Sequence, residues 1–220
     1  MNNGKTRKLA ITALLVVLTF VLGLTPIGYI PNPILPVLSL TLMCLPVIIG
    51  TITEGLKTGL VLGFVFGVTS FLKALGVTMA PDALGTLILC ISVVKTMVVI
   101  FIPRLVIPVV TWLVYKAFAR ESKGSQSIAT GMAAFAGSVT NTVLFLGALY
   151  LLFLPQAANI AGFLSGMSAV TGFEITAGTL FGLYAFLGGV NGLPEAVVAV
   201  LLCVPIVWAI QKQKSKRNPA

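Results

Sequence analysis

Three residues in a strongly apolar sequence carry groups that could grip a small polar molecule: Arg104, Asn141 and Glu195. Arg104 stands in Phe101-Ile102-Pro103-Arg104-Leu105, at the head of an apolar run that ends at Lys116. A guanidinium at the centre of a spanning helix costs about 2.5–3.5 kcal/mol on translocon scales. It must therefore face a protein interior, a watery cavity or an anion, and its fork of donors suits a carboxylate. Asn141, with Thr140 beside it in Gly137-Ser138-Val139-Thr140-Asn141-Thr142, can donate and accept, which suits an amide or a hydroxyl. Glu195 closes Asn191-Gly192-Leu193-Pro194-Glu195. Blander roles stand beside these: an Arg104–Glu195 ion pair, interhelical hydrogen bonds for Asn141 and Thr140, and a turn position for Asn191.

Other chemistries lack their residues. The chain has no histidine, the commonest general base and metal ligand. Cys44, Cys90 and Cys203 lie in apolar surroundings without metal-ligand spacing and read as small packing residues. No base stands beside a nucleophile and no acids cluster, so neither an enzyme nor a metal site nor a cofactor is expected. The net charge of +9 does not point to nucleic acid, because the charges gather at segment ends.

Apolar residues make up 58% and charged residues 9% of the 220, against about 25% charged in a soluble domain. The expected class is therefore an all-α polytopic membrane protein forming one domain, 1–220. Six spans are expected, at about 9–24, 37–53, 56–75, 98–119, 128–154 and 191–210. Outer loops would occupy 25–36, 76–97 and 155–190, with a re-entrant or interfacial helix near 84–94 as one reading of the second. Glu54 through Lys57 reads as a tight turn. Gly55, Gly59, Gly63 and Gly67 recur every four residues and mark a face of close helix packing. All of the 14 Lys and Arg residues except Lys73, Lys95 and Arg104 fall on one side of this arrangement, which places both termini in the cytoplasm.

These elements bring the polar residues to a common depth. At a rise of about 1.5 Å per residue, Arg104 lies roughly 18 Å above Lys116, Asn141 roughly 22 Å above Gln126, and Glu195 roughly 24 Å above Gln211. A pocket open to the outside follows, roofed by the proline-rich loop 25–36 and the long loop 155–190. It suits a small anionic solute.

Pro31-Asn32-Pro33, Leu42 through Gly50, Gly63 through Phe71, Phe101 through Leu105, Gly137 through Thr142 and Asn191 through Ala196 together carry a resemblance. Over nearly its whole length the chain resembles a substrate-binding S component of the energy-coupling-factor (ECF) vitamin importers, most like the pantothenate-type branch. The resemblance implies a high-affinity capture subunit in the plasma membrane, working with a transmembrane coupling subunit and two cytoplasmic ATPases. It implies that Arg104 holds the vitamin carboxylate and Asn141 its amide or hydroxyl groups, with Thr140, Asn191 and Glu195 alongside. The family's Ala-x-x-x-Ala docking face on the first helix is partly matched by Ala10 and Ala13, which stand three apart. Alternatives are an S component for another vitamin, such as riboflavin or folate, and a stand-alone secondary transporter of a small anion.

Overall fold

The computed structural model describes residues 3–31, 39–79, 82–120, 122–157, 165, 168, 169, 182, 185, 186 and 188–217. The apolar runs fold as helices: α1 (Asn3–Leu24), α2 (Cys44–Glu54), α3 (Leu56–Ala74), α4 (Ala83–Ile91), α5 (Val93–Phe118), α6 (Lys123–Ala157) and α7 (Leu193–Arg217). A 3-10 turn at Pro26–Gly28 leads into β1 (Tyr29–Pro31), which pairs antiparallel with β2 (Ser39–Thr41), Tyr29 opposite Thr41. A π turn, Gly188–Gly192, precedes α7.

Five helical stretches, within α1, α3, α5 and α6 and across the π turn into α7, are long and apolar enough to cross a membrane. The helix expected over 37–53 covers only Cys44–Glu54, because Ser39–Thr41 is spent as a strand. Eleven residues rise about 16 Å, roughly half of a bilayer's apolar core. The outer region expected over 76–97 holds α4, a short helix close to the one read near 84–94, and also the start of α5. Ser92 sets that start five residues before the expected 98: its side chain accepts a hydrogen bond from the Lys95 N–H as an N-cap. The α6 helix begins at Lys123, before the expected 128. The expected roof over 155–190 lies mostly outside the described residues.

Contacts fix the direction of each helix. Thr12 meets Thr58, and Gly23 abuts Thr69, so α1 and α3 run parallel. Gly23 also meets Met43 while Gly50 meets Leu15, so α2 runs against α1. Arg104 and Pro108 lie against Gly63, and Phe101 against Gly67, which makes α5 antiparallel to α3. Lys95 reaches Leu152 and Thr111 abuts Gly137, so α6 opposes α5. Gly131 faces Val200 and Val204 while Gly192 faces Thr142, so α7 opposes α6. The first residues of α1 and the last of α7 therefore lie at the same end of the bundle.

Gly59, Gly63 and Gly67 form the α3–α5 seam, whereas Gly55, the first of the series, lies in the turn before α3, where a Cβ would meet nothing within 4 Å. A Cβ on Gly59 would meet the Thr51 hydroxyl and Pro108, one on Gly67 the Phe101 ring, and one on Gly63 the backbone carbonyl oxygen of Arg104. The core beside this seam holds Met43, Val47, Ile48, Leu62, Phe66 and Ile107.

A backbone atom cannot swing aside as a side chain can. Gly63→Ala should lower stability by about 1–3 kcal/mol through overpacking. Gly131→Ala, where the nearest atom is a side-chain methyl at 3.6 Å, should be tolerated. Thermal unfolding of the two purified variants in detergent checks the contrast.

Candidate functional site

Near the end of the bundle where α1 finishes, Arg104 from α5 and Asn141 from α6 meet Glu195 from the first turn of α7. All three are buried, Arg104 at 9%, Asn141 at 5% and Glu195 at 4% exposure. Their convergence follows from three antiparallel neighbours carrying one polar group each at matching heights.

Pro103 governs the local geometry of Arg104. In a regular helix the Val99 carbonyl would accept from the N–H of residue 103, and proline has none. The Arg104 Nη1 donates to that carbonyl at 3.3 Å instead. The guanidinium carbon lies 5.2 Å from the Phe66 ring centroid and 4.8 Å from that of Phe145. Two aromatic faces from α3 and α6 thus flank the charge, each contributing cation–π attraction strengthened by desolvation. The Nε is buried with no hydrogen-bond partner.

Glu195 is held by other means. One carboxylate oxygen accepts from the Thr41 N–H on β2 at 3.5 Å and the other from the Cys44 thiol at 3.5 Å. The Asn141 amide is a further hydrogen-bond partner of the carboxylate, while the Asn141 Oδ1 has none. Among the described residues no ion pair joins Arg104 to Glu195, although each lies within the other's electrostatic reach. The site therefore keeps a guanidinium and a carboxyl group near one another without a direct contact between them.

The strand pair closes one side. Tyr29 lies opposite Thr41 in register, and the Lys73 ammonium at the end of α3 sits 3.2 Å over the Tyr29 ring centroid. Burial pushes the Tyr29 phenol up to about 12, with Arg104 pulling it the other way. Two more hydroxyls, Thr111 on α5 and Ser138 on α6, are fully buried without partners, one to two turns further in.

Of the residues singled out in the sequence, Arg104, Asn141 and Glu195 come together. Thr140 is half-buried beside Asn141, and Asn191 lies half-buried in the π turn one helical turn before Glu195. Ala10 and Ala13 are exposed on α1, far from this cluster. Cys44, read as a packing residue, does pack in the core but also binds Glu195. Phe66, Phe145, Tyr29 and Thr41 were not singled out. Phe145 had a signal, since it follows Asn141 by four residues and so shares its helix face. A separate cavity of about 370 Å³ lies on another face of α6, lined by Val139, Val143, Leu146, Tyr150 and Gly192 among others. It is almost wholly apolar and shares no residue with the Arg104 cluster.

The raised Tyr29 phenol has a signed consequence. With a pKa of about 12 folded against 10.0 ordinarily, folding favours the neutral form. That contribution is complete below about pH 10 and is lost as pH rises towards 12. Tyr29→Phe should lose less thermal stability than the parent between pH 9 and 11.5; identical pH slopes would refute the assignment.

Two comparisons with known proteins bear on this arrangement. The family described as ECF transporter, substrate-specific component, matches residues 7–207, a stretch that includes Arg104, Asn141 and Glu195. The pantothenic acid transporter PanT of Lactococcus lactis subsp. cremoris (strain MG1363) is 30% identical over 225 residues, covering 98% of this chain and 99% of the relative. A buried, partner-poor arginine among apolar helices is in keeping with both. The chain belongs to the ECF transporter family as a substrate-specific component, and it is a transport protein rather than an enzyme.

Proposed function

We propose that this protein is the high-affinity capture subunit of an ATP-driven vitamin importer and that its substrate is pantothenate. The observation that carries the reading is the Arg104 guanidinium, buried and flanked by two rings, with its Nε lacking any partner, as does the Asn141 Oδ1. Pantothenate offers a carboxylate for the first and an amide N–H for the second. Its hydroxyls suit the Glu195 carboxylate, with Thr140 and Asn191 completing the wall. The relative's substrate, pantothenic acid, supports the same choice.

In this reading the chain lies in the plasma membrane with both ends cytoplasmic. The α2 helix and the residues leading into it complete a sixth crossing. The Lys116 ammonium over Trp112 and Lys212 over Trp208, level with the Tyr115–Gln211 hydrogen bond, suit the inner interface, where amphipathic rings and basic heads collect. The transmembrane coupling subunit would dock on the exposed face of α1 that carries Ala10 and Ala13, with the two ATPases beneath it.

Titration calorimetry on purified protein should give submicromolar binding of pantothenate, with riboflavin, niacin, thiamine, biotin and a pterin as the comparison panel. Arg104→Ala should weaken binding tenfold or more, since a charged hydrogen bond is typically worth about 1.5–3 kcal/mol. Tight binding of another panel member would move the substrate, and unaltered affinity in both Arg104→Ala and Asn141→Ala would remove the site. For topology, a Cys90→Ala background clears the exposed native thiol, Cys44 and Cys203 being buried. A membrane-impermeant maleimide should then label Gly76→Cys in intact cells and Ser122→Cys only after permeabilisation. The reverse pattern would invert the topology.

A further inference from the structure

We propose that Pro103 is a positioning residue for Arg104: by lacking an N–H it leaves the Val99 carbonyl free to anchor Nη1, and so turns the Nε edge of the guanidinium towards the ligand. The ligand half of this inference rests on the reading of Arg104 as a substrate residue; the anchoring half does not.

Pro103 lies well inside α5, where a proline ordinarily weakens a helix. Val99 is fully buried, so no bulk water reaches the carbonyl that Pro103 leaves unpaired. The adjacent residue supplies the missing donor through its side chain, at 3.3 Å. One of the five guanidinium N–H groups is thereby committed to the backbone, and the rings of Phe66 and Phe145 restrict the plane. The Nε is left fully buried with no hydrogen-bond partner. Pro108 opens the same hydrogen-bond ladder one turn on. It leaves the carbonyl of Arg104 itself unpaired, and Gly63 packs directly against that oxygen. The two prolines therefore act on either side of Arg104, one fixing its side chain and the other admitting α3 to its backbone.

Restoring an N–H at position 103 would give Val99 its regular partner and set it in competition with Nη1. The guanidinium would lose its fixed anchor while the helix improved in propensity. A purely structural proline would not couple to its neighbour in this way.

The test uses four full-length proteins: the parent, Pro103→Ala, Arg104→Ala and the double variant, with Pro103→Ser as a second substitution that restores the same N–H. Thermal unfolding without ligand should show Arg104→Ala costing about 3 °C or more extra in the parent than in the Pro103→Ala background, the scale of one charged hydrogen bond in a chain of this size. Calorimetry should show Pro103→Ala and Pro103→Ser binding pantothenate about tenfold more weakly than the parent, with melting temperatures equal to or above it. Equal costs of Arg104→Ala in both backgrounds would overturn the anchoring. Unchanged affinity in both Pro103 variants, with Arg104→Ala binding weakened, would overturn the positioning role alone. A parent that binds no pantothenate but shows the thermal coupling would support the anchoring and sink the pantothenate reading instead.

Discussion

A permanent positive charge buried among apolar helices sets the terms for everything near it. The guanidinium cannot discharge itself, because arginine stays protonated in proteins. Nor does it lean on a carboxylate here. A released backbone carbonyl and the faces of Phe66 and Phe145 share the task, drawn from α5, α3 and α6. Each of those elements must then be held in place: α3 by its close approach to α5 along Gly59, Gly63 and Gly67, and α6 by its long antiparallel run beside α5.

Glu195 solves the opposite problem independently. Its carboxyl group is held by a strand N–H, a thiol and an amide, so its partners come from β2, α2 and α6. Because neither group depends on contact with the other, both keep capacity for a third party. A closed Arg104–Glu195 pair would have spent that capacity on the fold, and a ligand would then have had to break it. Separate satisfaction is what lets one small volume offer a guanidinium, a carboxyl group and an amide together.

The sequence made much of this visible. Counting helical rise from basic ends placed Arg104, Asn141 and Glu195 at one height, and the glycine spacing marked the seam of α3. The turn at Gly55, with φ of +97°, is where the four-residue reading put it. Less was visible wherever apolar residues serve more than one geometry. Val37 through Met43 look as helical as they look extended, and only pairing with β1 turns Ser39–Thr41 into a strand. The start of α5 was legible in principle from Ser92, but the surrounding run is apolar on both sides of it. The partner of Arg104 was not legible, because the choice among Glu195, a carbonyl and two rings depends on side-chain directions that spacing does not encode.

The glycine seam bears on how this sequence can drift over time. At Gly67 the opposing atoms belong to the Phe101 side chain, so a larger residue there could be rescued by a smaller one at 101. At Gly63 the opposing atom is the carbonyl oxygen of Arg104, which every amino acid shares. No exchange of the facing side chain can supply the missing room, and a search for suppressors at position 104 should come up empty. Two glycines four residues apart on one helix thus differ in kind: one belongs to a pair that can change together, while the other is fixed by the peptide chain itself.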